Sequence, residues 1–375
     1  MLLQGAYGEA SIQTHAPMKL KQRFNLASVS KPLTALGILL LVQENKIKLD
    51  DDINKWFANL PYDNITVRHL LQHTSGLPDY IELFADHWNE STFASNEDVL
   101  QLLTQYAPPR LFEAGEQMVY SNTGYVLLSL LIERVTNKSF STYMTEAIFN
   151  PLNMKHTTVT STTFIEEYPC EIAQVYVYDV YSGKHIRPVE FEETRDTVYL
   201  DYITGDGGIY STVEDLWKLG RAVICAQLWN KELLEQAFTP STLSAEQSFP
   251  YGMGWMIYED EQLGTCVSHT GGWPGYAATF KIFLQSKTIF VFLRSKEQGL
   301  TYEQAIEKAL KTNELILPKK PKQLKAIHLS TELLEGYVGK YYLQENPEYA
   351  IEVVLQPNNR LYIFTKYNAN GITCN

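Results

Sequence analysis

The stretch "FNLASVSKPLTALGILLLV", from Phe24 to Val42, places two polar side chains directly ahead of a long apolar run. Ser28 and Lys31 stand three positions apart, and the run begins at Pro32. Because proline is tolerated in the first turn of a helix, the sequence predicts a helix that begins within a few residues of Pro32. Ser28 would then lie at the helix N-terminus, where free N–H groups favour negative charge. Lys31 would lie about one turn further along on the same side.

This pair allows two interpretations. A serine hydroxyl becomes a good nucleophile when a neighbour takes its proton, and a lysine can do so when burial and nearby cations lower its pKa. Alternatively, Ser28 caps the helix and Lys31 extends its ammonium to solvent. The spacing alone favours the second interpretation, because roughly one or two such matches are expected by chance in a chain of this size.

A second pattern is "MVYSNTGYVLLSLL", which places Tyr120 and Asn122 just before another apolar segment. Tyrosine can transfer protons when cations lower its pKa, and asparagine can both donate and accept hydrogen bonds. The same letters also fit an ordinary loop with an asparagine cap.

The third pattern is "SHTGGWPGY", with His269, Thr270, Gly271 and Gly272 at the edge of a predicted strand. Glycines there let a ligand approach backbone N–H groups closely, although a plain glycine-rich hairpin has the same composition. One such N–H, together with that of Ser28, would make a two-donor oxyanion hole. The three patterns in this order favour catalysis over three separate structural explanations.

Composition excludes several other classes of function. The 375 residues carry a formal net charge of −12, which argues against nucleic-acid binding. No apolar run reaches the length of a membrane span. Cys170, Cys225, Cys266 and Cys374 have no zinc-like or disulfide-framework spacing, and the histidines form no HExxH-type set, so we expect no metal and no cofactor. The start has no secretory-signal pattern; the chain is cytoplasmic at face value, and a truncated start would look the same.

The order of elements predicts an α+β fold. Strands are expected at residues 2–12 and 23–27, and a mostly helical subdomain at about 50–204, with Thr66 as an N-cap. A further helix is expected from about Thr212, with Ser211 as its cap. Four antiparallel strands are expected after Gly252, then a helix at 301–311. We expect a hydrolase domain at 1–316, a linker at 317–324 rich in proline and lysine, and an incomplete unit of three strands at 325–375.

These motifs resemble the serine β-lactamase and penicillin-binding protein group. SVSK, YSN and HTG occur in the group's order, and the phrases "LLQHTSGLPDY", "FEAGEQMVYSNTGYVLLSLLIE", "IFNPLNMKHT" and "GDGGIYSTVEDL" support the likeness across most of 24–295. The chain is most similar to the class C-related branch, which includes family VIII-type esterases, D-amino peptidases and carboxypeptidases. The resemblance implies an antiparallel sheet flanked by helices.

The resemblance also implies a role for each motif residue. Ser28 would be the nucleophile that forms an acyl-enzyme, and Tyr120 the general base that Lys31 helps to keep deprotonated. Asn122 would orient the substrate amide and the lysine. The N–H groups of Ser28 and Gly272 would form the oxyanion hole, and the segment from His269 to Gly272 would bind substrate.

His269 stands where relatives usually carry a lysine. A histidine is only partly charged near neutral pH, so we expect weaker or pH-dependent binding of a substrate carboxylate and poor β-lactam hydrolysis. The chain also differs at its ends: relatives usually carry a helix and a strand before residues 2–12. Its C-terminal unit resembles the start of a lipocalin-like barrel. A cell-envelope or periplasmic location would follow from the resemblance if the start is truncated.

Two hypotheses of function result. The first is a metal-independent serine hydrolase that acts on ester, amide or peptide substrates through Ser28, Lys31 and Tyr120. The second is a catalytically weak or inactive penicillin-binding-like sensor of peptide or cell-wall fragments. Asp206, in "GDGG", is expected to organise a turn, and His73 to bond to local carbonyls at a helix end. The sequence does not indicate an oligomeric state.

Overall fold

The computed structural model describes most of the chain. The described residues are 4–89, 92–159, 170–179, 182–191, 198–243, 250–295, 300–312, 329–343, 346–355, 361–367 and 371–374. The chain divides into two compact units, one formed by Met1–Asp179 with His185–Lys320 and the other by Val180–Lys184 with Pro321–Asn375. The linker expected at 317–324, and both domain boundaries beside it, lie outside the described residues.

Helix α1 spans Ser30–Gln43 and follows a 3-10 turn at Ala27–Val29, which confirms a helix start close to Pro32. Every residue from 30 to 41 is buried. A helix that is apolar on all sides must lie inside the protein, since no face of it can contact water favourably. Helix α5, Asn122–Thr136, is buried from Thr123 to Ile132 and packs against α1. These two helices carry the first two motifs through the core.

The remaining helices are shorter and mostly amphipathic. They are α2 Val67–Leu71, α3 Tyr80–His87, α4 Asn96–Tyr106, α6 Phe140–Met144 (extended by a π turn, Thr145–Phe149), α7 Val213–Ile224, α8 Lys231–Ala237, α9 Leu300–Thr312 and α10 Thr331–Glu335. The Thr66 side chain caps α2, as predicted. The predicted cap of α7 by Ser211 is wrong. Ser211 pairs with Phe24 in a strand, so the cap is Thr212, whose side chain accepts the Asp215 N–H.

The strands of the first unit form small sheets and one larger sheet. Their bounds are β1 Glu9–Ser11, β2 Ala16–Pro17, β3 Phe24–Asn25, β4 Thr158–Val159, β5 Val177–Asp179, β6 Lys184–Ile186, β7 Ile209–Ser211, β8 Met256–Asp260, β9 Gly264–Trp273, β10 Tyr276–Phe283 and β11 Thr288–Arg294. The four strands after Gly252 are antiparallel in the order β11-β10-β9-β8, as predicted. The first strand is shorter than predicted, since Gly8 has a positive φ.

The second unit contains an antiparallel sheet. Its strands, in sheet order, are β12 Gly339–Leu343, β13 Asn346–Leu355, β14 Leu361–Tyr367 and β15 Gly371–Cys374. Three strands were expected here, and the described residues contain four. The fourth is a short segment that pairs with the end of β14.

Candidate active site

The 3-10 turn before α1 holds Ser28 in a constrained backbone. Ala27 has a φ of 46°, in the left-handed region, where a residue with a side chain is strained by roughly 1–3 kcal/mol. Its N–H donates to Asn25 Oδ1 at 2.8 Å, and the Leu26 N–H donates to the Ile209 carbonyl at 2.9 Å. These bonds tie the turn to strands β3 and β7, so Ser28 is presented from a fixed support.

Lys31 lies beside Ser28 and is fully buried, with 0% of its surface exposed. Its Nζ donates to Ser28 Oγ at 3.0 Å, to Asn122 Oδ1 at 2.8 Å and to the Asp206 carbonyl at 3.1 Å. An ammonium has three hydrogens, and here each of them has an acceptor, which offsets the cost of burying the charge. The structure therefore brings the first two motifs together at a single cation.

Asp79 fixes the orientation of the Asn122 amide. Its Oδ2 accepts both the Asn122 Nδ2–H, at 2.9 Å, and the Asn122 backbone N–H, at 3.2 Å. With the amide nitrogen held in this way, the amide oxygen points at Lys31. The Oδ1 of Asp79 also accepts the Ile81 N–H and caps α3. The sequence reasoning missed Asp79, although its position after Pro78 and before an apolar run is typical of an N-cap.

Tyr120 contacts its neighbours mainly through its ring. Lys31 Nζ lies 4.8 Å from the ring centroid, and the centroid of the His73 ring lies 4.3 Å away. Within the described part of the chain, the Tyr120 hydroxyl makes no hydrogen bond to Ser28 or Lys31. The ring is thus within cation–π distance of the ammonium.

The His73 ring packs against Tyr120 and does not bond to local carbonyls, so that expectation is wrong for the side chain. Its Nδ1 accepts the Ser121 N–H at 3.1 Å, which puts the ring proton on Nε2. The ring is 1% exposed, and burial, together with the Lys31 charge, lowers the pKa of His73 well below its usual value. His73 is therefore a neutral structural contact of the segment that carries Tyr120.

His269 is also buried and neutral. Its Nδ1 lies 2.6 Å from the Thr270 carbonyl, which can only accept, so Nδ1 carries the proton and Nε2 accepts from the Tyr251 hydroxyl at 3.0 Å. Burial and the nearby Lys31 charge lower the pKa of His269 to about 3. The expectation of a partly charged histidine near neutral pH is therefore wrong. His269 is 1% exposed and is not among the residues that line the cleft beside Ser28.

Strand β9 brings the third motif against the nucleophile turn. Its pairing with β8 ends at Ser268, so beyond that point the turn packs against this edge of β9. A Cβ on Gly271 would lie 2.2 Å from the Leu26 carbonyl oxygen and 3.0 Å from the Ser28 nitrogen, and a glycine is needed for this approach. Thr270 and Gly272 are exposed, while Gly271 is buried.

A cleft opens beside Ser28. It is lined by Asn25, Ala27, Ser28, Tyr80, Ile81, Asn122, Leu200, Asp201, Ile203, Asp206, Gly207, Gly208, Gly272 and Trp273. Among these lining residues the charged side chains are Asp201 and Asp206. The Trp273 Nε1–H donates to Asp201 Oδ1 at 2.9 Å, and burial raises the pKa of Asp201 to about 6. The cleft is therefore acidic apart from the Lys31 ammonium below it.

Asp206 contacts residues of the site directly, whereas the sequence predicted only that it would organise a turn. Its carbonyl accepts from Lys31, and its Oδ2 accepts the Tyr80 hydroxyl at 3.0 Å. Burial raises the pKa of the Asp206 carboxyl, although the Lys31 charge opposes this effect. Nothing in the "GDGG" letters indicated that the carbonyl of Asp206 would bind the lysine.

Over the described ranges, no group of three or more His, Cys, Asp or Glu side chains is arranged to hold a metal ion. No helix among the described residues is both long and apolar enough to cross a membrane.

Comparison with known proteins gives consistent matches. A family model described as Beta-lactamase matches residues 1–311. A penicillin-binding protein of Bacillus subtilis (strain 168) is 37% identical over 370 residues, which cover 97% of this chain and 81% of that protein. The crystal structure of a penicillin-binding protein from Bacillus halodurans is similar, with a TM-score of 0.71 and 28% identity over 82% of this chain and 91% of that one. An octameric penicillin-binding protein homologue from Pyrococcus abyssi gives a TM-score of 0.69 and 25% identity, covering 98% of this chain and 85% of that one.

Proposed function

Because the chain belongs to the beta-lactamase family of serine hydrolases, we propose that it hydrolyses ester, amide or peptide substrates through an acyl-enzyme on Ser28. The observation that carries this proposal is the 3.0 Å hydrogen bond from the buried Lys31 Nζ to Ser28 Oγ. A merely structural lysine at a helix start would extend to solvent. Here it lies buried, bonded to the serine hydroxyl at the bottom of an open cleft.

The proposed reaction has two halves. In the first, a Tyr120 phenolate takes the proton of Ser28 Oγ as this oxygen bonds to the substrate carbonyl carbon, and the N–H groups of Ser28 and Gly272 bind the oxyanion. When the carbonyl re-forms, the bond to the leaving group breaks and the proton passes to that group. In the second half, Tyr120 takes a proton from water as the water oxygen attacks the acyl carbon. The bond from that carbon to Ser28 Oγ then breaks, the proton passes to Ser28 Oγ, and the acid product leaves. Lys31 stabilises the negative charge on either oxygen, and Asn122 holds Lys31 in place.

The charges around the cleft favour uncharged acyl donors over carboxylate-bearing β-lactams. Where relatives usually carry a lysine, this chain has a neutral, buried His269. The lining carries two aspartates. A substrate carboxylate would thus meet like charge, and the described lining of the cleft contains no lysine or arginine. We therefore propose that ester, amide or peptide hydrolysis is the main activity and that β-lactam hydrolysis is weak.

The test compares two serines of the same helix start. Ser28→Ala should abolish labelling by a fluorophosphonate and lower p-nitrophenyl ester turnover by several orders of magnitude, because Ser28 Oγ is the proposed acyl acceptor. Ser30→Ala is the matched control. Its hydroxyl is fully buried and accepts the Ile209 N–H at 3.4 Å, so its loss should leave labelling intact.

Three outcomes distinguish the hypotheses. Loss of both signals in Ser28→Ala alone supports a serine hydrolase. Labelling of Ser28 in the wild type without turnover of any ester or amide would instead support the sensor. More than about a hundredth of wild-type turnover in Ser28→Ala would mean that Ser28 is not the nucleophile.

A further inference from the structure

Asp201 is a cleft carboxylate without a cationic partner. In the described part of the chain, no Lys, Arg or His lies within ion-pair distance of it, and its hydrogen-bond partner is the Trp273 indole. Asp206, the other acid of the lining, is bonded through its carbonyl to Lys31, and that charge stabilises its carboxylate. A half-buried carboxylate in a cleft is costly to ionise unless a cation approaches it.

The position of Asp201 relative to the reacting atoms is set by strand β9. The Trp273 indole fixes Asp201 Oδ1, and Trp273 directly follows Gly272, whose N–H is one of the two proposed oxyanion donors. Asp201, Gly272 and Ser28 line the same cleft. A positive group bound by Asp201 would therefore lie in the same cleft as the carbonyl that Ser28 attacks.

We infer that Asp201, held by Trp273, is the binding site for a substrate ammonium group, so the preferred acyl donors are amino acid esters, amides or peptides with a free amino group near the scissile carbonyl. This inference rests on the proposed hydrolase function and narrows its substrate class. Asp201 acts in substrate binding and takes no part in proton transfer. A charge-assisted hydrogen bond from ammonium to a partly desolvated carboxylate supplies the selectivity.

An isosteric substrate pair measures this selectivity directly. Glycine p-nitroanilide and propionic acid p-nitroanilide differ in an ammonium against a methyl group at the same position. We expect wild-type kcat/KM to favour the glycine compound near neutral pH. In Asp201→Asn, which keeps an acceptor for the indole N–H but removes the charge, the preference should fall by about tenfold or more, mainly through KM. The loss should fall mainly on the glycine compound, because the propionyl compound carries no ammonium for Asp201 to bind.

The control variant is Asp63→Asn, which removes one negative charge from an exposed position away from the cleft. It should leave the preference unchanged. An unchanged preference in Asp201→Asn would overturn the inference, and so would an equal loss for both substrates, since that would indicate a structural role. If neither p-nitroanilide is hydrolysed and Ser28 is not labelled, the proposed function itself fails.

The pH dependence of the wild type provides a second readout that needs no variant. With its pKa raised to about 6, Asp201 should gain its charge between pH 5 and 7, and the preference for the ammonium substrate should rise over that range. The ionisable groups that interact with Asp201 are Tyr210 and Tyr276, whose pKa values lie above that range, and Asp206 lines the same cleft. A preference that is flat with pH would count against Asp201 as the binding group.

Discussion

Lys31 is a buried cation whose hydrogen-bond acceptors are all neutral. A hydroxyl, a side-chain amide and a backbone carbonyl take its three hydrogens. A carboxylate in direct contact would cancel its field, whereas neutral acceptors leave that field to act on neighbours. It contributes to the lowered pKa values of His73 and His269 and opposes the raised pKa of Asp206. The same field would stabilise a phenolate at Tyr120 when one forms.

The role of Tyr120 can be tested by removing its hydroxyl. In Tyr120→Phe the ring should keep its contacts with His73 and Lys31, so we expect normal folding with p-nitrophenyl ester turnover reduced by roughly a hundredfold or more. Tyr143→Phe is a matched control, because that hydroxyl is buried and donates to the Gly37 carbonyl at 3.0 Å. Unchanged turnover in Tyr120→Phe would assign the proton transfer to Lys31 alone.

Single residues differ in how far the sequence predicts them. Ser28, Lys31 and Asn122 were identified from local spacing and are brought together by hydrogen bonds. The neutral states of His73 and His269 could not be predicted, because they depend on burial by distant segments. His269 bonds to Tyr251, which arrives from another part of the chain. A sequence motif therefore predicts the position of a side chain in the site more reliably than it predicts the protonation state of that side chain.

Among the elements, strand β9 and the nucleophile turn form the tightest contact of the site. The turn can pack against β9 because β8 stops pairing at Ser268 and Gly271 has no side chain. This packing sets the separation between the Ser28 and Gly272 N–H groups. The geometry of the proposed oxyanion hole therefore depends on where β8 stops pairing with β9 and on the absence of a side chain at Gly271.

A pair of neighbouring glycines tests this contact. Gly271→Ala would place a Cβ 2.2 Å from the Leu26 carbonyl oxygen, whereas nothing lies within 4 Å of the same position on Gly272. We expect Gly271→Ala to cost about 1–3 kcal/mol or more of folding stability and to reduce turnover, since the turn must move away from β9. Gly272→Ala should melt close to the wild type. Equal melting temperatures for both variants would show that the turn can shift without cost.

Elements with strong local signals were predicted well, and those that depend on pairing were not. Pro32 and Thr66 fixed two helix starts because proline geometry and capping are local properties. Ser211 failed as a cap because it pairs with Phe24, far away in the chain. Strand β15, Gly371–Cys374, was missed because a short segment becomes a strand only when a neighbour pairs with it.

For the whole molecule, buried ionisable groups couple folding to pH in opposite directions. His73 and His269 have lowered pKa values in the folded state, so between those values and 6.5 the unfolded chain binds more protons and stability rises with pH. Asp201 and Asp206 have raised pKa values, so the folded chain holds protons that the unfolded chain releases, and stability falls as pH rises above 3.8. In mild acid the contributions of the histidines and the aspartates to the pH dependence of stability partly cancel. The contribution of one histidine is therefore measured as the difference between the wild type and a variant that lacks it.

Comparing the wild type with His269→Gln isolates the contribution of His269 to the pH dependence of stability, because both proteins contain the same aspartates. With a pKa of about 3 in the folded state and 6.5 in the unfolded state, His269 gives stability that is fully present above pH 6.5 and is lost as pH falls. Urea unfolding from about pH 4.5 to 7 should show the wild-type advantage over His269→Gln shrinking by up to about 1.4 kcal/mol per pH unit below pH 6.5. Parallel curves for wild type and His269→Gln would mean that His269 is protonated in the folded protein as readily as in the unfolded chain. The neutral state of His269, on which the proposed preference for uncharged acyl donors partly rests, would then have to be abandoned.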